Sequence, residues 1–113
     1  MQHSIKKLPK STLEITVELA PEDMEAYLRK AATQMSEQST IPGFRPGKAP
    51  YEQVVLRVGA GRIWEEAAQL VVPKVFSEIA REEKLETIGS PTIEVIKLAP
   101  DNPFIFKATV PLV

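Results

Sequence analysis

Eight consecutive residues, Gly43-Phe44-Arg45-Pro46-Gly47-Lys48-Ala49-Pro50, join an aromatic ring and two cations to two glycines and two prolines. The glycines favour turns at positive φ and the prolines remove backbone donors, so neither a helix nor a strand can run through them. What remains is a loop that displays recognition groups. Arg45 offers a planar fork that fits a carboxylate or a phosphate, Lys48 adds a compact charge, and Phe44 supplies an apolar anchor. Gly43 and Gly47 would set the turns. The chemistry of such a tip is docking, not turnover. The competing reading is a plain helix–helix connection whose Phe44 folds back onto the core.

Nothing else in the chain assembles into a catalyst. His3 is the only histidine, and no Asp, Glu or Ser stands near it in the arrangement of a triad or a metal set. The acid pairs Glu65-Glu66 and Glu82-Glu83 fall in helical stretches, where adjacent side chains diverge by about 100° and cannot aim at one substrate. Lys48 is followed by Ala49 and lacks the upstream glycine that a phosphate-binding loop requires. No catalytic residue, metal site or cofactor is expected.

The loop needs elements to hold it. Upstream, Leu13, Ile15, Val17 and Leu19 alternate with Thr12, Glu14, Thr16 and Glu18, a period of two that predicts a strand with one wet face. Ile5 and Leu8 suggest a shorter strand before it, joined through Pro9-Lys10-Ser11. Ala20-Pro21-Glu22-Asp23 opens a helix, because proline suits the first helical position and the acids complement the dipole. Met24, Leu28, Ala31 and Met35, with Tyr27 beside them, carry it to about Ser39. After the loop, Pro50 again fits a helix start. A short helix from Tyr51 to Val58 bears Val54, Val55 and Val58, and Gly59-Ala60-Gly61 ends it.

A longer helix is expected from about Arg62 to Leu85, with Ile63, Trp64, Ala67, Leu70, Val71, Val75, Phe76 and Ile79 as its apolar set. Pro73 lies within that stripe, which stays in phase on both sides, so a kink rather than a break is predicted. Strands over Thr92–Leu98 and Phe104–Val110 flank a turn at Ala99-Pro100-Asp101-Asn102-Pro103. Phe104, Phe106, Ala108 and Val110 share one face and Ile105, Lys107 and Thr109 the other. The order β-β-α-α-α-β-β predicts an α+β fold, an antiparallel sheet of about four strands with long helices on one face. Which hairpin lies at the centre stays open.

A chain of 113 residues, 43% hydrophobic and 26% charged, suits one domain with a modest core. No run approaches the roughly 18 apolar residues of a membrane span. The first residues lack the apolar stretch of a secretory signal, so none is expected. With no cysteine there are no disulfides or thiolate metal sites, which fits a reducing compartment. The net charge of −1 counts against a general nucleic-acid binder. That charge is uneven. From Gln38 to Trp64 the cations are Arg45, Lys48, Arg57 and Arg62 and the acid is Glu52, four minus one, or +3. Arg57 and Arg62 thus form a supporting basic patch that steers toward a polyanion within about 8–10 Å, a Debye length.

The pattern G-F-R-x-G-K-x-P, met at Gly43, Phe44, Arg45, Gly47, Lys48 and Pro50, resembles the ribosome-docking signature of the bacterial trigger factor family of nascent-chain chaperones. The resemblance extends over nearly the whole chain. It implies a ribosome-binding domain in which the long helix and its neighbour form a helix-loop-helix arm that projects the loop from the sheet. The implied partners are the large ribosomal subunit, through the exit-tunnel protein and adjacent ribosomal RNA, and unfolded nascent polypeptides, in the cytoplasm and away from any membrane. One position departs from the pattern: Pro46 stands where some relatives carry a third basic residue. The family also carries a peptidyl-prolyl isomerase domain and a helical substrate-cradling domain. Neither fits in 113 residues, so residues 1–113 are read as one domain of a longer chaperone, without isomerase activity. The alternative from another class is a stand-alone single-stranded nucleic-acid-binding module with Phe44 as stacking platform. The single aromatic in the patch and the negative net charge speak against it.

Overall fold

Alternating apolar and polar residues build an open antiparallel sheet of four strands, and amphipathic helices cover one of its faces. The computed structural model describes residues 1–38 and 41–113. The elements run β1 (Gln2–Leu8), β2 (Thr12–Leu19), α1 (Pro21–Gln38), α2 (Tyr51–Val58), α3 (Ala60–Glu82), β3 (Thr92–Lys97) and β4 (Phe104–Pro111). The strand order is β1-β2-β4-β3, so each hairpin contributes one central and one edge strand. β2 and β4 hold the centre, and their apolar inward faces are buried along the whole strand, whereas β3 is exposed. Leu13, Ile15, Val17 and Leu19 are buried against Phe104, Phe106, Ala108 and Val110, with Ile15 opposite Ala108 and Val17 opposite Phe106.

The edge strands are less regular. β1 is longer than Ile5 and Leu8 suggest, because its ladder with β2 runs from Gln2 opposite Glu18 to Leu8 opposite Thr12. β3 is exposed along its whole length, and its register with β4 slips between Val95 and Lys97. This is a bulge of the kind that interrupts pairing at sheet edges.

The helical layer packs α1 and α2 on α3. Met24, Leu28, Ala31 and Ala32 of α1, Val54 of α2, and Ile63, Trp64, Ala67, Ala68, Val71, Val75 and Ile79 of α3 complete one core with the sheet. Met35, expected in that stripe, is only partly buried, and Ser36 takes the fully buried place. At the start of α1 the Asp23 carboxylate accepts from the N–H of Ala20 at 3.0 Å and lies 3.1 Å from the terminal amine of Met1. Bonding to that amine and to Ala20 holds its pKa below the ordinary aspartate value. Ser39, the expected end of the helix, lies outside the described residues.

Two boundaries differ from the sequence reading. The break between α2 and α3 is Gly59 alone, at φ 91°, while Ala60 and Gly61 already belong to α3. A single residue suffices because Gly59 both donates to the carbonyl of Val55 and accepts from the N–H of Ile63. At the other end α3 stops at Glu82, not Leu85. Lys84 turns to φ 53°, and the N–H of Leu85 reaches back to the carbonyl of Ala80 at 2.9 Å. That bond closes the last turn in a Schellman motif, here without the usual glycine. Between these ends α3 passes through Pro73 as one helix.

The molecule is elongated, 54 Å by 24 Å by 20 Å, with a radius of gyration of 16.3 Å. A compact chain of this length would be near 13 Å, about one-fifth less. The 18 residues of α1 account for a rod of about 27 Å that starts at the sheet and ends at the loop.

Candidate functional site

Residues 41–48, in the loop between α1 and α2, form two consecutive turns with the same grammar. In Ile41-Pro42-Gly43-Phe44 the N–H of Phe44 donates to the carbonyl of Ile41 at 3.1 Å, and in Arg45-Pro46-Gly47-Lys48 the N–H of Lys48 donates to that of Arg45 at 2.9 Å. Each has proline at its second position and a glycine of positive φ at its third, 85° at Gly43 and 77° at Gly47. Proline presets the first central residue and glycine alone takes the second without strain, the chemistry of a type II turn. Pro46 is therefore built into the turn. Gly47 has a further reason to be glycine. A Cβ there would lie 2.9 Å from Cγ of Glu37.

Tertiary contacts pin the loop at both ends. Ile41 is buried at its start. At its exit, Tyr51 lies under Arg29, whose guanidinium carbon is 5.9 Å from the ring centroid. Arg29 in turn reaches Glu25 at 3.6 Å. Burial raises the Tyr51 phenol pKa above its ordinary value, Asp101 adds to the rise and Arg29 opposes it. In the middle, the hydroxyl oxygen of Ser36 accepts from the N–H of Gly47 at 3.1 Å and of Ala49 at 3.4 Å.

Between these anchors the recognition groups are displayed. Phe44 is 39% exposed and does not fold into the core. Arg45, Lys48 and Pro50 are exposed as well. Arg57 and Arg62 are exposed but stand at the junction of α2 and α3. From Tyr51 to Arg57 the helix advances about 9 Å, close to a Debye length, so the second pair of cations flanks the tip and is not part of it.

The sequence reading missed two contributors, Ser36 and Glu37, and one exposed apolar neighbour, Leu56. Ser36 hides in a helix and its partners are 11 and 13 residues away. Glu37 directly precedes the basic stretch from Gln38 to Trp64, yet folds beside Gly47. From Glu37 to Trp64 the balance is therefore four cations less Glu37 and Glu52, or +2. Leu56 is 79% exposed on the outer face of α2, next to Arg57. An exposed leucine beside an arginine gives no periodic signal in a helix of eight residues. Among the described residues no group of acids and histidines could hold a metal ion, and no helix is long and apolar enough to cross a membrane.

The family model for the bacterial trigger factor protein matches residues 1–113. The trigger factor of Mycolicibacterium vanbaalenii is 36% identical over 110 residues, which cover 97% of this chain and 23% of that protein. That of Moorella thermoacetica is 34% identical over 110 residues, covering 97% of this chain and 25% of that protein. The chain thus spans about a quarter of the length of the curated relatives it matches. A solved structure of the trigger factor chaperone, described for promiscuous substrate recognition in folding and assembly, has the same fold. Its TM-score is 0.75 at 20% identity, over 96% of this chain and 26% of that one. With a family match along its full length, this chain belongs to the bacterial trigger factor family.

Proposed function

We propose that residues 1–113 are a single ribosome-docking domain of a nascent-chain chaperone, and that the loop at 43–50 is its contact with the large ribosomal subunit beside the polypeptide exit tunnel. The observation that carries this reading is the display of Phe44, Arg45 and Lys48 on a doubly turned tip at the far end of a rod of about 27 Å. A rod of that length separates the contact from the sheet and leaves room for an emerging chain. Phe44 is half in water, and seating it in an apolar crevice of a ribosomal protein removes that surface from solvent. Arg45 forks onto a carboxylate or a phosphate of ribosomal RNA, and Lys48 adds attraction that needs no fixed geometry. Gly43, Gly47 and Pro50 shape the path of the backbone and make no contact that depends on a side-chain charge. Arg57 and Arg62 add long-range steering from the flank.

The partners are then the large subunit and the unfolded polypeptides that leave it, in the cytoplasm. The 113-residue chain by itself accelerates no prolyl isomerisation, and a peptide isomerisation assay at micromolar protein checks this.

Co-sedimentation with purified large ribosomal subunits at physiological salt, with bare single-stranded oligonucleotides as competitor, tests the docking. The wild-type chain should pellet with the subunits, and the oligonucleotides should not displace it. Changing Phe44, Arg45 and Lys48 together to Ala should weaken binding about a hundredfold and leave the melting curve in place, since these side chains contribute little to the core. Undiminished binding by that variant would overturn the reading.

A further inference from the structure

We infer that Ser36 is a positioning residue for the docking tip, its buried hydroxyl holding the second turn in the conformation that presents Arg45 and Lys48. The inference rests on the docking reading of the loop. Ser36 is the one buried polar side chain among the described residues, at 1% exposure. It occupies a core position of α1 one turn after Ala32, where an apolar residue would pack at no polar cost. A hydroxyl withdrawn from water is costly unless it is bonded. Its bonds run forward across the loop, to the N–H of Gly47 at 3.1 Å and of Ala49 at 3.4 Å.

Those two amides bracket Lys48, whose own N–H closes the turn onto Arg45. Three hydrogen bonds thus fix the backbone from Arg45 to Ala49, and two of them end on one oxygen. The second turn has no ladder of its own, so without that oxygen it is held between the anchors at Ile41 and Tyr51 by its turn bond and its proline. A tip ordered in advance loses less entropy when it docks. If only a fraction of molecules carries the competent tip, the apparent dissociation constant rises by the inverse of that fraction. Ser36 touches neither partner in this account. It acts through the loop.

The test is Ser36→Ala in the 113-residue chain, read by hydrogen exchange at individual amides and by binding kinetics to purified large ribosomal subunits. Exchange at Gly47 and Ala49 should rise while core amides such as Val54 stay protected. Binding should weaken about fivefold, because two hydrogen bonds of ordinary strength no longer bias the loop. The salt dependence should keep its slope, since every cation remains. Ser36→Cys, which keeps the branching of the side chain and replaces the hydroxyl by a bulkier, weak acceptor, should fall between Ser36→Ala and the wild type. Wild-type affinity of Ser36→Ala, with or without faster exchange at the two amides, would overturn the inference and leave the docking reading standing. Undiminished binding by the triple variant of Phe44, Arg45 and Lys48 would remove the docking reading itself, whatever Ser36 does to exchange.

Discussion

The tip and the flank of the sheet both expose apolar surface, and they do so for different reasons. At the tip a single ring, Phe44, stands beside the exposed cations Arg45 and Lys48 on a loop held by two turns and a buried hydroxyl. Between α3 and β3 lies a groove of about 440 Å³ walled by Val72, Pro73, Ile93, Val95, Leu98 and Phe104. There Ile93 is 37% and Val95 50% exposed. The groove exists because β3 is the outer strand of the sheet, beyond the central pair that the helical layer covers most fully. Pro73 adds its ring to the rim. The display groups and turns of the tip are local, written into residues 41–50, and the groove is a product of how distant elements meet. The two should therefore separate under mutation. Damage to the groove wall should cost stability and spare docking, and damage to the tip should do the reverse.

The largest expected effect falls on the groove side. Phe104 is fully buried and packs on Phe106 with ring centroids 5.3 Å apart. Phe104→Ala should destabilise the chain by about 3–5 kcal/mol through lost burial and the cavity left behind. Calorimetry would show this as a large fall in melting temperature. Ribosome binding measured well below the new midpoint should stay at the wild-type value. Lost binding in a sample that is still folded would mean that the tip and the groove are coupled.

On the tip side, Gly47→Ala meets both a positive φ and the near contact with Glu37. The cost to this turn should be about 1–3 kcal/mol, the range for a non-glycine residue held in a sparsely populated conformation. Because the loop can open without disturbing the core, the melting temperature should move little and ribosome affinity should fall about tenfold. A large thermal shift with intact binding would reverse the assignment of roles.

Salt sharpens the comparison within the charged surface. If Arg45 and Lys48 alone meet phosphate, the logarithm of affinity should fall with the logarithm of salt at a slope of about −1.6. A slope approaching about −3 would place Arg57 and Arg62 on phosphate as well, and a slope near zero would assign the contact to Phe44. Binding measured over a salt series distinguishes these.

The smallest effect is expected at Pro46. Pro46→Lys adds a cation but removes the ring that presets the turn from Arg45 to Lys48. The association rate should rise about twofold at low salt, where charge steers the encounter, and the gain should disappear at high salt. Stopped-flow association at two ionic strengths reads this directly. A gain that persists in high salt would contradict the electrostatic account.

Much of this architecture is legible from local pattern. The alternation at Thr12–Leu19 and Phe104–Val110 identifies the two strands that turn out to be central, because a strand with one fully buried face must alternate. The Pro-Gly pairs at 42–43 and 46–47 dictate the turns, since φ is restricted by proline and released by glycine within a few bonds. The six motif residues of the tip sit together because they are consecutive or nearly so. Other features could not be read from the chain. That β2 pairs with β4 depends on matching two apolar faces nearly a hundred residues apart. β1 and β3 carry weak alternation because edge strands bury less. Glu37 lowers the charge of the tip only after α1 has folded against the second turn, and Ser36 looks like a lapse in an apolar stripe until Gly47 and Ala49 are brought to it. Local periodicity specifies elements because it acts over three or four residues. Register between hairpins, the net charge of a tip and the partner of a buried hydroxyl are set by distances in space, which packing alone determines.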